Sequence, residues 1–190
     1  KILNIVNKVF SSGQLILGKE VKNFENNFSK YTNCKYAVGV NSGTDALQIA
    51  LMSVGVKNND EVITVSNTAV PTVSAIVSCG AKPIYVDINE SDYLINTSLI
   101  ESKITKKTKA IVPVNLYGQS ANYENIKKIA KKYNIKVIED CAQSSGALYK
   151  NKPSGSYGDI SAFSFYPTKN LGGYGDGGMI VTNNKKLFKK

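Results

Sequence analysis

Apolar positions along this chain follow two rhythms. Short runs rich in Val, Ile, Ala and aromatic residues recur near 36–40, 61–66, 83–87, 109–114, 135–139, 160–165 and 178–182. Runs of that length, bounded by Gly, Pro, Asn or Asp, predict strands buried on both faces. Between them, apolar residues at three- and four-residue spacing predict helices near 21–32, 44–54, 70–79, 97–103 and 123–133. The chain also opens in a helical pattern (Ile2, Val6, Val9, Phe10). It closes in Asn183–Lys190, which reads as the start of another helix. Strands alternating with helices predict the α/β class: a mostly parallel sheet in a three-layer α/β/α arrangement. The Ser- and Gly-rich stretch 141–159 is the longest irregular part, and there is no repeat or low-complexity segment. The length suffices for one domain with a sizeable core.

Composition narrows the partners. Apolar content is an ordinary 42%, no apolar run is long enough to span a bilayer, and no signal-peptide pattern opens the chain. These features predict a cytoplasmic protein with no membrane partner. Cys34, Cys79 and Cys141 are widely spaced, which argues against a disulfide framework or a zinc site. For Cys141 a buried packing role is expected. The net charge is +10 and every basic residue is lysine. Lys103, Lys106, Lys107 and Lys109, then Lys127, Lys128, Lys131 and Lys132, are spaced as solvated helix faces. With no arginine and no nucleic-acid motif, a nucleic-acid partner is not expected. The chain holds no histidine, so imidazole is excluded as acid, base or metal ligand.

Three segments carry candidate chemistry. The first runs from Phe163 through Thr168-Lys169-Asn170 to Gly177-Gly178, placing one lysine between an aromatic-rich stretch and a run of glycines. A lysine amine is a nucleophile only when neutral, and burial or nearby positive charge lowers its pKa. Taken alone, a solvated lysine is the commoner role. The second is Tyr36–Leu47, which reads as strand, small-residue turn and helix, with Ser42 or Thr44 at the N-cap and Asp45 in the first turn. Such a turn can hold a phosphate on backbone N–H groups, although an ordinary capped helix has the same pattern. The third is Ile135–Gln143, in which a buried-looking strand delivers Asp140 to its carboxyl end, where ligands of open α/β sheets gather. A carboxylate there could pair with a protonated pyridine nitrogen, and Gln143 could reach a ring substituent. No G-x-G-x-x-G motif follows the first strand, so a dinucleotide fingerprint is not expected.

These segments, with Gly18–Glu25, Asp60–Thr64, Gly80–Pro83, Leu116–Gln119 and Gly155–Asp159, resemble the DegT/StrS family of nucleotide-sugar aminotransferases, which use pyridoxal 5'-phosphate (PLP). The resemblance implies the fold type I large domain and assigns roles by position. Lys169 would attach the cofactor as a Schiff base and shuttle protons. Asp140 would bind the pyridine nitrogen and Gln143 the ring oxygen. Ser42, Gly43, Thr44 and Ser164 would hold the phosphate, with Ser164 on the lysine's own strand, and Asn170 would shape the loop around Lys169. It also implies glutamate as amino donor, a keto-sugar nucleotide as acceptor, a homodimer, and a product for surface polysaccharide or glycan. Sequence around Ser66–Val73 resembles branches that aminate the sugar 3-position. Ala69 departs from relatives with a ring-stacking aromatic there. Family members are about twice this long, so residues 1–190 are expected to be the large domain of a longer protein, without its smaller C-terminal domain. A non-catalytic remnant of that domain is the alternative. A desulfurase is disfavoured because Cys141 lies at a strand end beside Asp140.

Overall fold

A computed structural model describes residues 1–190. Its centre is a seven-stranded sheet built from β1 (Tyr36–Val40), β2 (Glu61–Val65), β3 (Lys82–Val86), β4 (Thr108–Ile111), β5 (Lys136–Asp140), β8 (Ile160–Ser164) and β9 (Gly178–Thr182). The order across the sheet is β1-β9-β8-β5-β4-β2-β3. From β8 to β3 every pairing is parallel, while β9 runs antiparallel to both of its neighbours. Six strands therefore share one direction and β9 alone is reversed. The central strands are buried on both faces, as their near-continuous apolar sequences require.

Alternation along the strands sorts side chains to two faces. One face packs Val62, Ile138 and Ala162 against α3 (Gly43–Ser53) and α4 (Val70–Ser78). The other packs Ile63, Ile111 and Val137 against α5 (Tyr123–Tyr133). Toward β1 that second layer continues with Phe28 of α2 (Lys19–Tyr31), which meets Phe163 and Phe165 edge-on at 4.9 and 5.3 Å. The three-layer α/β/α expectation is met. The opening helix α1 (Ile2–Ser12) buries no residue, and Leu3, Ile5 and Phe10 on it are exposed. No helix is long and apolar enough to cross a membrane.

Three local expectations need correction. The helix expected at 97–103 is two separate 3-10 turns, Thr97–Leu99 and Glu101–Lys103. The strand expected at 109–114 ends at Ile111, because the following stretch contains Pro113, which has no N–H to continue a ladder. The stretch 141–159 is not wholly irregular. It contains a hairpin of β6 (Leu148–Tyr149) and β7 (Lys152–Pro153), whose turn residues Lys150 and Asn151 both have positive φ. The chain ends in a short helix α6 (Lys185–Phe188), as its pattern predicts.

Candidate active site

The sheet's carboxyl edge gathers the candidate residues. A cavity of about 300 Å³ opens there, lined from α3 by Ser42, Gly43, Thr44 and Leu47, and from the β2–α4 region by Thr68, Ala69, Pro71 and Thr72. Asp140, Ala142 and Gln143 come from the end of β5, and Val114 and Leu116 from beyond β4. Ser164, Tyr166, Lys169, Asp176 and Gly177 close it from the β8–β9 side. Of the eight sequence candidates, seven line this one cavity. Asn170 does not. It borders an adjoining open space with Tyr117, Gly118, Thr168, Gln143 and Lys169.

At the start of α3, Ser42 is the N-cap. Its Oγ accepts the Asp45 N–H at 3.1 Å and donates to the Asp45 carboxylate at 2.9 Å. The Ser42 carbonyl accepts the Ala46 N–H. The cap thus serves Asp45 and Ala46, while the Gly43 and Thr44 N–H groups, ahead of the first helical bond, remain free to meet an anion. The Ser42 hydroxyl is already committed, so its contribution to an anion would be through the turn it holds. Ser164 ends β8 on the α3 side, 7% exposed, and its Oγ accepts only the Tyr166 N–H, at 3.4 Å. A Cβ at Gly43 would lie 2.6 Å from the Ser164 Cβ, and one at Gly178 would lie 2.3 Å from the Ser42 carbonyl oxygen. Glycine at those two points is what lets turn and strands close into a cradle.

Asp140 ends β5 and faces the α3–α4 side, 3% exposed. Its Oδ1 accepts the Ala142 N–H at 3.1 Å and its Oδ2 the Thr72 hydroxyl at 2.7 Å. Burial pushes its pKa up, and the Thr72 and Ala142 bonds and the Lys169 charge pull it back. Glu139, one residue earlier, points to the opposite face. There it accepts N–H groups of Gly155, Tyr157 and Gly158 and the Ser161 hydroxyl, pinning the loop ahead of β8. The Gln143 Oε1 accepts the Tyr117 N–H at 3.2 Å, which leaves its amide N–H groups as the donors available to a ligand.

Lys169 is half-buried and lies beyond the strand, not on it, in a turn where its N–H bonds the Tyr166 carbonyl at 2.8 Å. Nor do Phe163 and Phe165 bury its amine. Phe163 and Phe165 turn to the opposite face and join Phe28, while Tyr166 is the aromatic residue that lines the cavity. Ala69 does line the cavity, and no aromatic side chain takes its place from that loop. Sequence reasoning missed Thr72. Its signal was faint: a polar residue on the buried side of an otherwise apolar helix start. Cys141 is buried, accepting from the Ser154 hydroxyl at 3.3 Å, in keeping with packing.

An anion cradle, a buried carboxylate and an amine thus converge on one space, which can hold a flat ring bearing an anionic tail and a cationic nitrogen. Known proteins share the frame. A dTDP-3-amino-3,4,6-trideoxy-alpha-D-glucose transaminase of Micromonospora megalomicea is 52% identical over 99% of this chain and 50% of the relative. A UDP-2-acetamido-2-deoxy-3-oxo-D-glucuronate aminotransferase of Pseudomonas aeruginosa is 48% identical over 96% of this chain and 51% of the relative. The crystal structure of NtdA from Bacillus subtilis with bound cofactor PMP superposes with a TM-score of 0.94 at 40% identity, covering 99% of this chain and 42% of that one. The chain spans about half the length of the curated relatives it matches. Its whole length, residues 1–190, matches one family description, and the chain belongs to the DegT/DnrJ/EryC1/StrS aminotransferase family.

Proposed function

We propose that this chain is the PLP-binding large domain of an aminotransferase that moves an amino group from glutamate to a keto-sugar nucleotide. The observation that carries the reading is the placement of buried Asp140 and the Lys169 amine on one cavity beside the free N–H groups of α3. The residues fit the cofactor. Gly43 and Thr44 N–H groups and the Ser164 hydroxyl would hold its phosphate, Asp140 its pyridine nitrogen, and a Gln143 N–H its ring oxygen. Lys169 would hold it covalently, with Asn170 shaping the turn. When bound, PLP supplies an electron sink for charge that develops at the reacting carbon. The chain's own work is then to orient and to move protons. Asp140 would keep a negative charge beside the pyridine nitrogen, and the Lys169 amine would accept and return protons within the cavity. The amine sits where the cavity meets the adjoining space bordered by Tyr117 and Asn170, from which a substrate would arrive.

The names of the similar transaminases support nucleotide-sugar substrates and a role in amino-sugar biosynthesis, and the product would go to polysaccharide or glycan. The half of the relatives' length that this chain does not span would carry the smaller C-terminal domain. A second copy would complete the site, and the exposed apolar positions of α1 support a covering partner there. Three unpaired cysteines suit a reducing cytoplasm. Because the chain lacks arginine, the carboxylates of glutamate would be met by lysines or by residues outside it.

The test is borohydride trapping of PLP on the full-length gene product, with peptide mapping, followed by amino transfer from glutamate to keto-sugar nucleotides. A label on Lys169, lost in Lys169→Ala, together with turnover, is the expected result. A label elsewhere, or no transfer to any nucleotide sugar, would sink the reading.

A further inference from the structure

Thr72 lies in the first turn of α4, 2% exposed, and its hydroxyl has an unusual destination. A buried helical threonine ordinarily returns its hydroxyl to a carbonyl three or four residues back. Thr32, at the C-cap of α2, does so, bonding the Phe28 and Ser29 carbonyls. Thr72 instead points across the cavity wall to the Asp140 Oδ2 at 2.7 Å. Behind it, the Thr68 Oγ1 lies 2.7 Å from the Thr72 Oγ1. A hydroxyl has one proton, and an ionised carboxylate can only accept. If Thr72 donates to Asp140, Thr68 must donate to Thr72. The two threonines then form a one-way chain of donors that ends on the carboxylate, each bond strengthening the next.

We propose that Thr72 is a positioning residue for amino transfer, its hydroxyl fixing the rotation of the Asp140 carboxylate and holding it as an acceptor toward the cofactor's pyridine nitrogen. The inference rests on the PLP reading above and deepens it. Protonating Oδ2 would force the threonine chain to reverse, so the chain favours the charged form. The start of α4 adds in the same direction, because helix N-termini favour nearby negative charge. Asp140 is met by Thr72 from α4, by the Ala142 N–H from its own chain, and by the Lys169 charge from the β8–β9 connection. Tyr123 and Cys141 are the buried titratable groups that feel it, and burial pushes both of their pKa values up. Glu139 faces away.

The experiment compares wild type, Thr72→Val and Thr72→Ser in the full-length gene product. It measures PLP dissociation by equilibrium dialysis across pH, and the Asp140 carboxyl titration by carbon NMR without cofactor. Thr72→Val keeps the shape and removes the hydroxyl. It should weaken PLP binding about 10- to 100-fold, the loss expected for one hydrogen bond to a buried charge. The acid limb of binding should move to higher pH and Asp140 should titrate later, while Thr72→Ser restores both. Wild-type affinity and titration in Thr72→Val would overturn the proposal. So would a Thr72→Ser variant as impaired as Thr72→Val, which would assign the effect to the methyl group and packing. Absence of PLP binding in wild type would instead sink the cofactor reading, and this inference with it.

Discussion

Gly43→Ala tests how tightly the cradle is closed. At the first turn of a helix, alanine in place of glycine ordinarily stabilises by about 0.5–1 kcal/mol. Here the new Cβ would sit 2.6 Å from the Ser164 Cβ, 3.0 Å from its Oγ and 3.2 Å from its Cα. The first separation is roughly 1 Å inside the distance at which carbon atoms rest against each other. Overpacking of that kind costs about 1–3 kcal/mol. Steric loss should outweigh the gain in helix propensity, leaving a net destabilisation of about 1–2 kcal/mol, or roughly 2–8 °C in Tm for a chain of this size. Ser164→Gly removes the Cβ that is struck and should recover most of the loss. The assay is a double-mutant cycle on cofactor-free protein, by thermal or denaturant unfolding. The expected coupling between Gly43→Ala and Ser164→Gly is about 1–2 kcal/mol and favourable. A Gly43→Ala protein more stable than wild type, or additive effects in the double variant, would refute the closed cradle.

Other substitutions probe the supports. Glu139→Gln puts an amide donor among three backbone N–H groups and should cost about 1.5–3 kcal/mol in denaturant unfolding. Burial raises the Glu139 pKa above its ordinary 4.5, with the surrounding donors holding the rise in check. A raised native value makes its contribution to stability present below pH 4.5 and lost as pH climbs through that value, so wild type should lose stability with pH more steeply there than Glu139→Gln. Equal slopes would contradict this. Asn115→Ala should cost about 3 kcal/mol, because it strands the Tyr123 hydroxyl and the Ala121 N–H in the core and removes one donor to the Ser154 hydroxyl. Phe28→Ala, emptying the edge-on contacts with Phe163 and Phe165, should cost about 3–5 kcal/mol. A loss under 1 kcal/mol by calorimetry would mean that α2 is only loosely held.

What could be read from sequence was what local pattern encodes. A short apolar run placed Asp140 at a strand end, and small polar residues at 42–45 marked the start of α3. The corrections come from contacts that local pattern does not encode. The stretch 97–103 has helical spacing, yet buried Ile100 anchors two tight turns and Ile104 leaves extended, so no continuous helix forms. The hairpin at 148–153 turns on Lys150 and Asn151 rather than on a Gly-containing pair, which hides its signal. Phe163 and Phe165 read as shelter for Lys169, but strand parity turns them to the other face. Thr72 left only a faint trace because its partner lies 68 residues away, and no periodicity marks a hydroxyl that leaves its own helix.

The reversed strand β9 has a mechanical consequence. Had β8 been followed by a parallel crossover, the lysine would have ridden on a long connection free to drift over the sheet. Instead Ser164 and Gly178 are paired neighbours, so residues 165–177 form a loop with both feet planted one strand spacing apart. Those feet are cradle parts: Ser164 abuts Gly43, and Gly178 seats the Ser42 carbonyl. Anchor and tether are therefore one piece of chain. The base of the Lys169 side chain is tied, through residues 165–177, to both sides of the cradle. Anything that pulls the anion end of a ligand out of register would tug the lysine's base as well, and a loop so cheaply closed should form as soon as β8 and β9 pair during folding.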